Sequence, residues 1–336
     1  QRQAGGNQAQ DQPSARLRFD RGEILRSVLM ADILIIKLSA LGDLVQADGA
    51  IRDIRNFHPD DRLTVMTTPS FRIYMERCPW VDEVFIDPRA PRYHLAQILA
   101  LRKRLQQRSF DRVYDLQQVG RTRFYHRYLF PPTWWLGDVK GCEVFLKRPG
   151  DRCAADHFHA HLLLAGIPAT HTRRCDLSWM VDKADELLDQ HGVEPDYVLL
   201  IPGASAAHSA KRWPRFEQLA QRLIEHDLQP VTVPGPAEMD QYHAIPGKTL
   251  VSKDGYLDYF ALAGVAQQAA FVIGNDTGPT HIAAHLGCRG LALYGGHTPA
   301  QTTGIQHTRF TWLESEDLAD LTLEVVWQKF LEQAAT

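Results

Sequence analysis

The chain has 336 residues, 44% of them apolar and 23% charged, enough to bury the cores of about two ordinary domains. Its formal charge of -3 excludes the global basic excess of a nucleic-acid binder. Five cysteines without a C-x-x-C pair exclude a disulfide scaffold and a zinc ribbon and suit a reducing compartment; no apolar run approaches the ~18 residues of a membrane span.

Charge is unevenly spread. Residues 1–178 hold 27 basic and 20 acidic side chains, residues 179–336 hold 10 and 20, and the stretch 89–152 alone holds 14 and 5. Two halves of opposite sign suggest different partners, with an acidic substrate or an anionic membrane surface suiting the first.

Residues 1–29 are rich in Gln, Arg and Asp and lack a signal-peptide core; they read as a mobile tail or extension, with Met30 as a candidate start. The continuous apolar run at 32–38 predicts a strand buried on both faces. A Ser-Ala-Leu-Gly turn at 39–42 leads into a helical pattern over 43–57. Strand-like runs follow at 62–68, 81–86 and 110–116, with helices at 71–77, 94–107 and 154–166. Such repetition argues for a parallel sheet covered by helices. The rhythm breaks at 170–179, and a polar helix at 182–191 opens a second set. Strands are expected there at 197–201, 229–233, 271–274 and 290–294, and helices at 214–226, 257–269, 279–286 and 316–333. Two doubly wound units joined near 178–195 account for the pattern. The expected division is a tail (1–29), a first domain (30–178), a second domain (179–315) and a terminal helix (316–336) packing back toward the first domain.

Three turns between strands and helices carry candidate chemistry. In Ser39-Ala40-Leu41-Gly42-Asp43, Gly42 permits close approach and Asp43 falls where a carboxylate caps a helix; at a cleft mouth the same carboxylate could take a proton from an attacking hydroxyl. The turn Gly274-Asn275-Asp276-Thr277-Gly278-Pro279-Thr280-His281 would present backbone N–H groups to an anion, typically a phosphate. It is not G-x-G-x-x-G, which weakens a dinucleotide-dependent dehydrogenase reading. In the third, from Pro202-Gly203-Ala204-Ser205 to Lys211-Arg212-Trp213-Pro214, Lys211 could reach a phosphate as a point charge. Three near-misses are set aside. Gly247-Lys248-Thr249 lacks the first glycine of a P-loop, Gly203-Ala204-Ser205-Ala206-Ala207 lacks the last glycine of a nucleophile elbow, and His157, His159 and His161 alternate along a helix and so point apart. No metal site is expected.

Taken together, four segments resemble the glycosyltransferase family 9 heptosyltransferases of lipopolysaccharide core assembly. They are Ile33 to Asp43 (ILIIKLSALGD), Pro202-Gly203 with Lys211-Arg212-Trp213-Pro214, Val272 to His281 (VIGNDTGPTH), and Leu286 to Gly295. The resemblance implies an α/β GT-B architecture: two facing Rossmann-like domains, with the acceptor on the first and the nucleotide sugar in the second. It implies inverting transfer from an ADP-heptose donor to an anionic glycolipid acceptor, with no metal or other cofactor. Asp43 would be the general base and Lys211 the residue stabilising the diphosphate. Ser205, Glu238, Asp276, Thr277, Gly278 and His281 would bind donor, and Ser39 and Gly42 would lie on the acceptor side. Arg121, Arg123 and Arg127, interleaved with Phe124, Tyr125 and Tyr128, would grip acceptor phosphates or anionic lipid. A cytoplasmic enzyme touching the inner face of the membrane would fit. The competing readings are another GT-B sugar-nucleotide enzyme, such as a 2-epimerase, and a non-catalytic sugar-nucleotide or glycolipid binder. Two positions depart from the family pattern: Asp48-Gly49 replaces an apolar-Pro pair, and Gly295-Gly296-His297-Thr298-Pro299 lacks an aspartate before the proline.

Overall fold

The structure, a computed structural model, describes residues 30–204, 206–235, 238, 242, 244–296 and 298–334. The expected tail at 1–29 and the candidate donor residue Ser205 lie outside the described residues.

The first half alternates strands and helices. In chain order it contains β1 (Asp32–Ile36), α1 (Leu41–Phe57), β2 (Arg62–Thr67), α2 (Arg72–Arg77), β3 (Glu83–Ile86), α3 (Leu95–Arg108), β4 (Arg112–Asp115), α4 (Gly120–Tyr128), β5 (Trp134–Gly137), β6 (Val144–Phe145) and α5 (Ala154–Leu164). The second contains α6 (Asp185–Gln190), β7 (Val198–Ile201), α7 (Phe216–Glu225), β8 (Pro230–Thr232), β9 (Lys248–Thr249), α8 (Tyr259–Gln268), β10 (Phe271–Asn275), α9 (Gly278–His285), β11 (Gly290–Gly295), β12 (Phe310–Ser315) and α10 (Leu323–Ala334). The run read as a strand buried on both faces is so, with Ile33 to Ile36 fully buried, and Val198 to Ile201 in the second half are fully or nearly fully buried as well.

Each half forms one six-stranded sheet, ordered β3-β2-β1-β4-β5-β6 and β12-β11-β10-β7-β8-β9, with every pair parallel. Both follow the doubly wound order 3-2-1-4-5-6 within their own half. This is the two-domain α/β fold of GT-B type. Strand order reverses between β1 and β4 in the first sheet and between β7 and β10 in the second. Loops leaving the carboxyl ends of strands at those points are where such sheets hold ligands. The three turns singled out above leave β1, β7 and β10.

Helices α1 and α9 pack against each other between the two sheets, and the largest apolar cluster runs through both halves, from Ile33 and Leu44 to Val272 and Ile282. Two glycines permit the contact. A Cβ on Gly278 would lie 2.6 Å from the Leu41 side chain, and one on Gly42 would lie 2.8 Å from the His281 ring. The helix starts can interlock only because neither position carries a side chain.

Two expectations need correction. The terminal helix does not reach back to the first half; Leu323, Val326, Trp327 and Phe330 bury against Trp213, Phe216 and Phe271 of the second. His157 and His161 do not point apart, because four residues bring them to one face of α5, with ring centroids 5.5 Å apart. Gln118 sits between them, accepting from His157 Nε2 at 2.5 Å and donating to His161 Nδ1 at 2.9 Å, while His161 Nε2 donates to the Val144 carbonyl at 2.9 Å. The bonds to His161 require that ring to be neutral, since one nitrogen accepts and the other donates, and burial pushes the His157 pKa down to about 4. The pair is a core hydrogen-bond network.

Candidate active site

A cleft of ≈ 730 Å³ opens between the two halves, within the usual range of small-molecule sites. The β1 turn contributes Gly42 and Asp43, the β7 turn Gly203 and Lys211, and the β10 turn Asp276, Thr277, Gly278 and His281. Glu238 and Tyr242 close the second-half wall. All three turns chosen from the sequence therefore meet in one space.

Asp43 occupies the first turn of α1. Its Oδ2 accepts from the Ala40 backbone N–H at 3.2 Å while the residue lines the cleft. Capping and a place at the cleft mouth thus hold together: the cap bond orients the carboxylate and leaves acceptor capacity on both oxygens. The loop before it is pinned by Gln117, whose Oε1 accepts from the Leu38 and Ser39 N–H groups at 2.8 and 3.1 Å.

Facing it, Lys211 forms an ion pair with the buried Asp276, whose other oxygen meets His281 Nε2 at 3.2 Å. Burial pushes the Asp276 carboxyl up, but the His281 and Lys211 contacts outweigh it and hold it below the usual carboxylate range. Asn275 joins the two second-half turns, accepting from Trp213 N at 3.1 Å and donating to the Pro202 carbonyl at 2.7 Å. That clamp places Lys211 over the start of α9. Gly203 leaves room for Glu238: a Cβ there would lie 2.3 Å from a Glu238 carboxylate oxygen and would push that side chain aside. Glu238 itself accepts from Gly235 N at 2.9 Å and has Arg212 3.8 Å away.

The remaining candidates are dispersed. Ser39 does not line the cleft; its hydroxyl accepts from Arg89 at 3.1 Å. Arg121, Arg123 and Arg127 do not line it either. Arg121 is an internal clamp, bonded to buried Asp87 at 3.3 Å, to the Ala90 carbonyl at 3.0 Å and to Tyr125. It is already neutralised and is not available to grip an acceptor. Arg123 pairs with Asp138 at 2.5 Å and, with Arg127, lines a separate surface pocket that also contains Lys140 and Lys147.

Sequence reasoning missed two cations on the first-half side. Arg148, exposed, is the basic residue of the 89–152 stretch that reaches the cleft. Lys37 ends the apolar run of β1 and is buried; burial lowers its pKa, while Asp43 and Asp115 raise it and Arg148 lowers it further. A lone charge closing an apolar strand at the switch point was the available signal. Asp115, beneath the same turn, is pushed up to about 6 by burial, against the Gln117 and Gln118 N–H bonds.

The departure at Asp48-Gly49 also has a structural cause. Asp48 Oδ1 accepts from the Trp80 and Trp179 indoles at 3.1 and 3.2 Å, and a Cβ on Gly49 would lie 2.1 Å from the His171 carbonyl. Neither residue faces the cleft.

A family model described as glycosyltransferase family 9 (heptosyltransferase) matches residues 157–323, the half that carries Lys211 and the β10 turn. The chain belongs to glycosyltransferase family 9. Among curated proteins, it is similar to the lipopolysaccharide core heptosyltransferase OpsX of Haemophilus influenzae, with 22% identity over 80% of each chain. Lipopolysaccharide heptosyltransferase 2 of Escherichia coli matches at 24% identity over 82% of this chain and 86% of its own. Solved structures share the fold. A family 9 glycosyl transferase from Veillonella parvula aligns with a TM-score of 0.71 at 21% identity, covering 85% of this chain and 86% of its own. The E. coli heptosyltransferase WaaC with ADP aligns at 0.67 and 18% identity, covering 90% and 98%. Among the described residues, no helix is long and apolar enough to cross a membrane.

Proposed function

We propose that this family 9 member transfers a heptose from ADP-heptose to a hydroxyl of a lipopolysaccharide-core or related anionic glycolipid, by a single inverting displacement without a catalytic metal. One observation carries the reading: a carboxylate from one half, and a lysine beside a helix start from the other, line the same cleft. Similarity to enzymes named for heptose transfer to lipopolysaccharide, one of them solved with ADP, supports the choice of donor and acceptor.

The chemistry follows from charge. A sugar hydroxyl is a poor nucleophile near neutral pH, so Asp43 accepts its proton as the oxygen attacks the anomeric carbon. The bond from that carbon to the diphosphate breaks on the opposite face, and negative charge grows on the leaving oxygens. Lys211 and the N–H groups at the start of α9 meet it. Asp276 fixes the Lys211 ammonium, and a lysine has three donors, so one can remain on Asp276 while others turn to phosphate. Glu238, on the second-half wall of the cleft, would accept from the ribose hydroxyls. Arg148 provides positive charge on the first-half side, where an acidic acceptor would lie. Membrane contact at the cytoplasmic face would bring a lipid-linked acceptor to this rim.

A thermal-shift screen of nucleotide sugars, followed by mass spectrometry with a truncated core glycolipid, tests the proposal. ADP-heptose should stabilise the protein most, and the acceptor should gain one heptose. Conversion of the donor without any acceptor would instead indicate an epimerase-type enzyme.

A further inference from the structure

Away from the cleft, Cys153, Asp156 and His307 bring a thiol, a carboxylate and an imidazole together, with their ligand atoms all within 4.8 Å of one another. The first two lie at the start of α5 in the first half. His307 ends a short 3-10 turn, Ile305–His307, in the second half. We propose that these three residues form a zinc site that ties the two halves together.

The separations suit one tetrahedral ion. Cys153 Sγ lies 3.1 Å from Asp156 Oδ2 and 3.9 Å from His307 Nε2, and His307 Nε2 lies 3.3 Å from Asp156 Oδ1. With Zn–S near 2.3 Å and Zn–N and Zn–O near 2.1 Å, tetrahedral edges are about 3.4 to 3.6 Å; the sulfur and the imidazole approach different oxygens of Asp156, so rotation of that carboxylate would bring one oxygen to an ion held between all three. Donor chemistry also discriminates. One thiolate, one imidazole and one carboxylate suit a borderline ion such as zinc better than magnesium or calcium, which take oxygen ligands. Two surrounding features prepare the ligands. Cys153 is the N-cap of α5, its sulfur accepting from Asp156 N at 3.4 Å, which fixes the direction of the sulfur. Arg173 holds Asp156 Oδ1 at 2.5 Å, which turns Oδ2 toward the sulfur. The sulfur is buried while Asp156 and His307 are part-exposed, so a water can take the fourth position. Sequence inspection could not have found this set, because 154 positions separate Cys153 from His307.

The consequence is mechanical. The turn bearing His307 directly follows Thr302 and Thr303, which line the cleft. An ion bridging it to α5 would limit how far the halves separate around the substrate.

Equilibrium dialysis of the full chain against zinc, with elemental analysis, tests the site. The unaltered protein should retain about one zinc per chain. Cys153→Ser, which keeps a good N-cap, and His307→Ala should each weaken binding at least tenfold. Cobalt(II) should give a near-ultraviolet thiolate-to-metal band that both variants lose, and zinc should raise Tm in the unaltered protein only. Uptake equal in all three proteins, or cobalt binding without the thiolate band, would assign the metal to scattered surface histidines and overturn the site.

Discussion

The interlock of the two helix starts makes a quantitative prediction. In Gly278→Ala the new methyl would sit 2.6 Å from Leu41 Cβ, about 1 Å inside ordinary carbon contact. Leu41 Cβ is fixed to the α1 backbone, so the halves must shift rather than a side chain rotate. Overpacking of this kind costs about 1–3 kcal/mol, and the shift should also weaken nucleotide binding at the α9 start. The reciprocal change, Leu41→Gly, removes the obstructing carbon at a helix-propensity cost of up to ~1 kcal/mol plus lost burial. Combining the two moves the glycine from one helix start to the other. Urea unfolding of the four proteins, with ADP affinity measured in parallel, forms a double-mutant cycle. The double variant should be more stable than the sum of the singles predicts by at least about 1 kcal/mol, with ADP affinity largely recovered. Additive destabilisation would mean that these turns do not face each other.

Asp48 gives a pH-dependent prediction. Burial raises its pKa from 3.8 to about 7, against the Trp179 and Trp80 hydrogen bonds. The folded state therefore holds a proton that the unfolded chain has released, and stability falls as pH rises from about 4 to about 7, by an upper bound of about 4 kcal/mol at ~1.4 kcal/mol per unit. Asp48→Asn should accordingly raise Tm at pH 8 and gain little at pH 4; the same shift at both would contradict the assignment. Arg148→Ala should raise the acceptor KM about tenfold, the scale of one charge-assisted hydrogen bond, with donor affinity unchanged in calorimetry. By contrast, Arg121→Ala should lower Tm through the loss of its Asp87 and Ala90 contacts and leave the acceptor KM unaltered.

The sequence made much of this architecture legible, for reasons visible in particular segments. Strands β1, β7, β10 and β11 are buried on both faces and appear as continuous apolar runs. The edge-side elements were not visible. β6 and β9 have two residues each, and β12 is only partly buried along most of its length, so neither length nor alternation marks them. Helix α4 was hidden because its Arg- and aromatic-rich segment looked like a basic binding stretch; its Tyr125 is fully buried and Arg121 is an internal clamp. The cleft residues next to strand ends were legible because glycine, proline and carboxylate at a strand-helix turn have few other uses. Arg148 was not, since only the folding of β6 back onto the first sheet carries its loop to the cleft.

The central claim is that Asp43 accepts the acceptor proton across the cleft from a donor held by the second half. Asp43→Asn retains an oxygen for the Ala40 N–H and removes the base. Transfer of heptose to a truncated core glycolipid should fall by at least ~100-fold, while Tm and ADP-heptose affinity stay near those of the unaltered protein. Transfer at an undiminished rate by a variant that folds and binds donor normally would contradict the account.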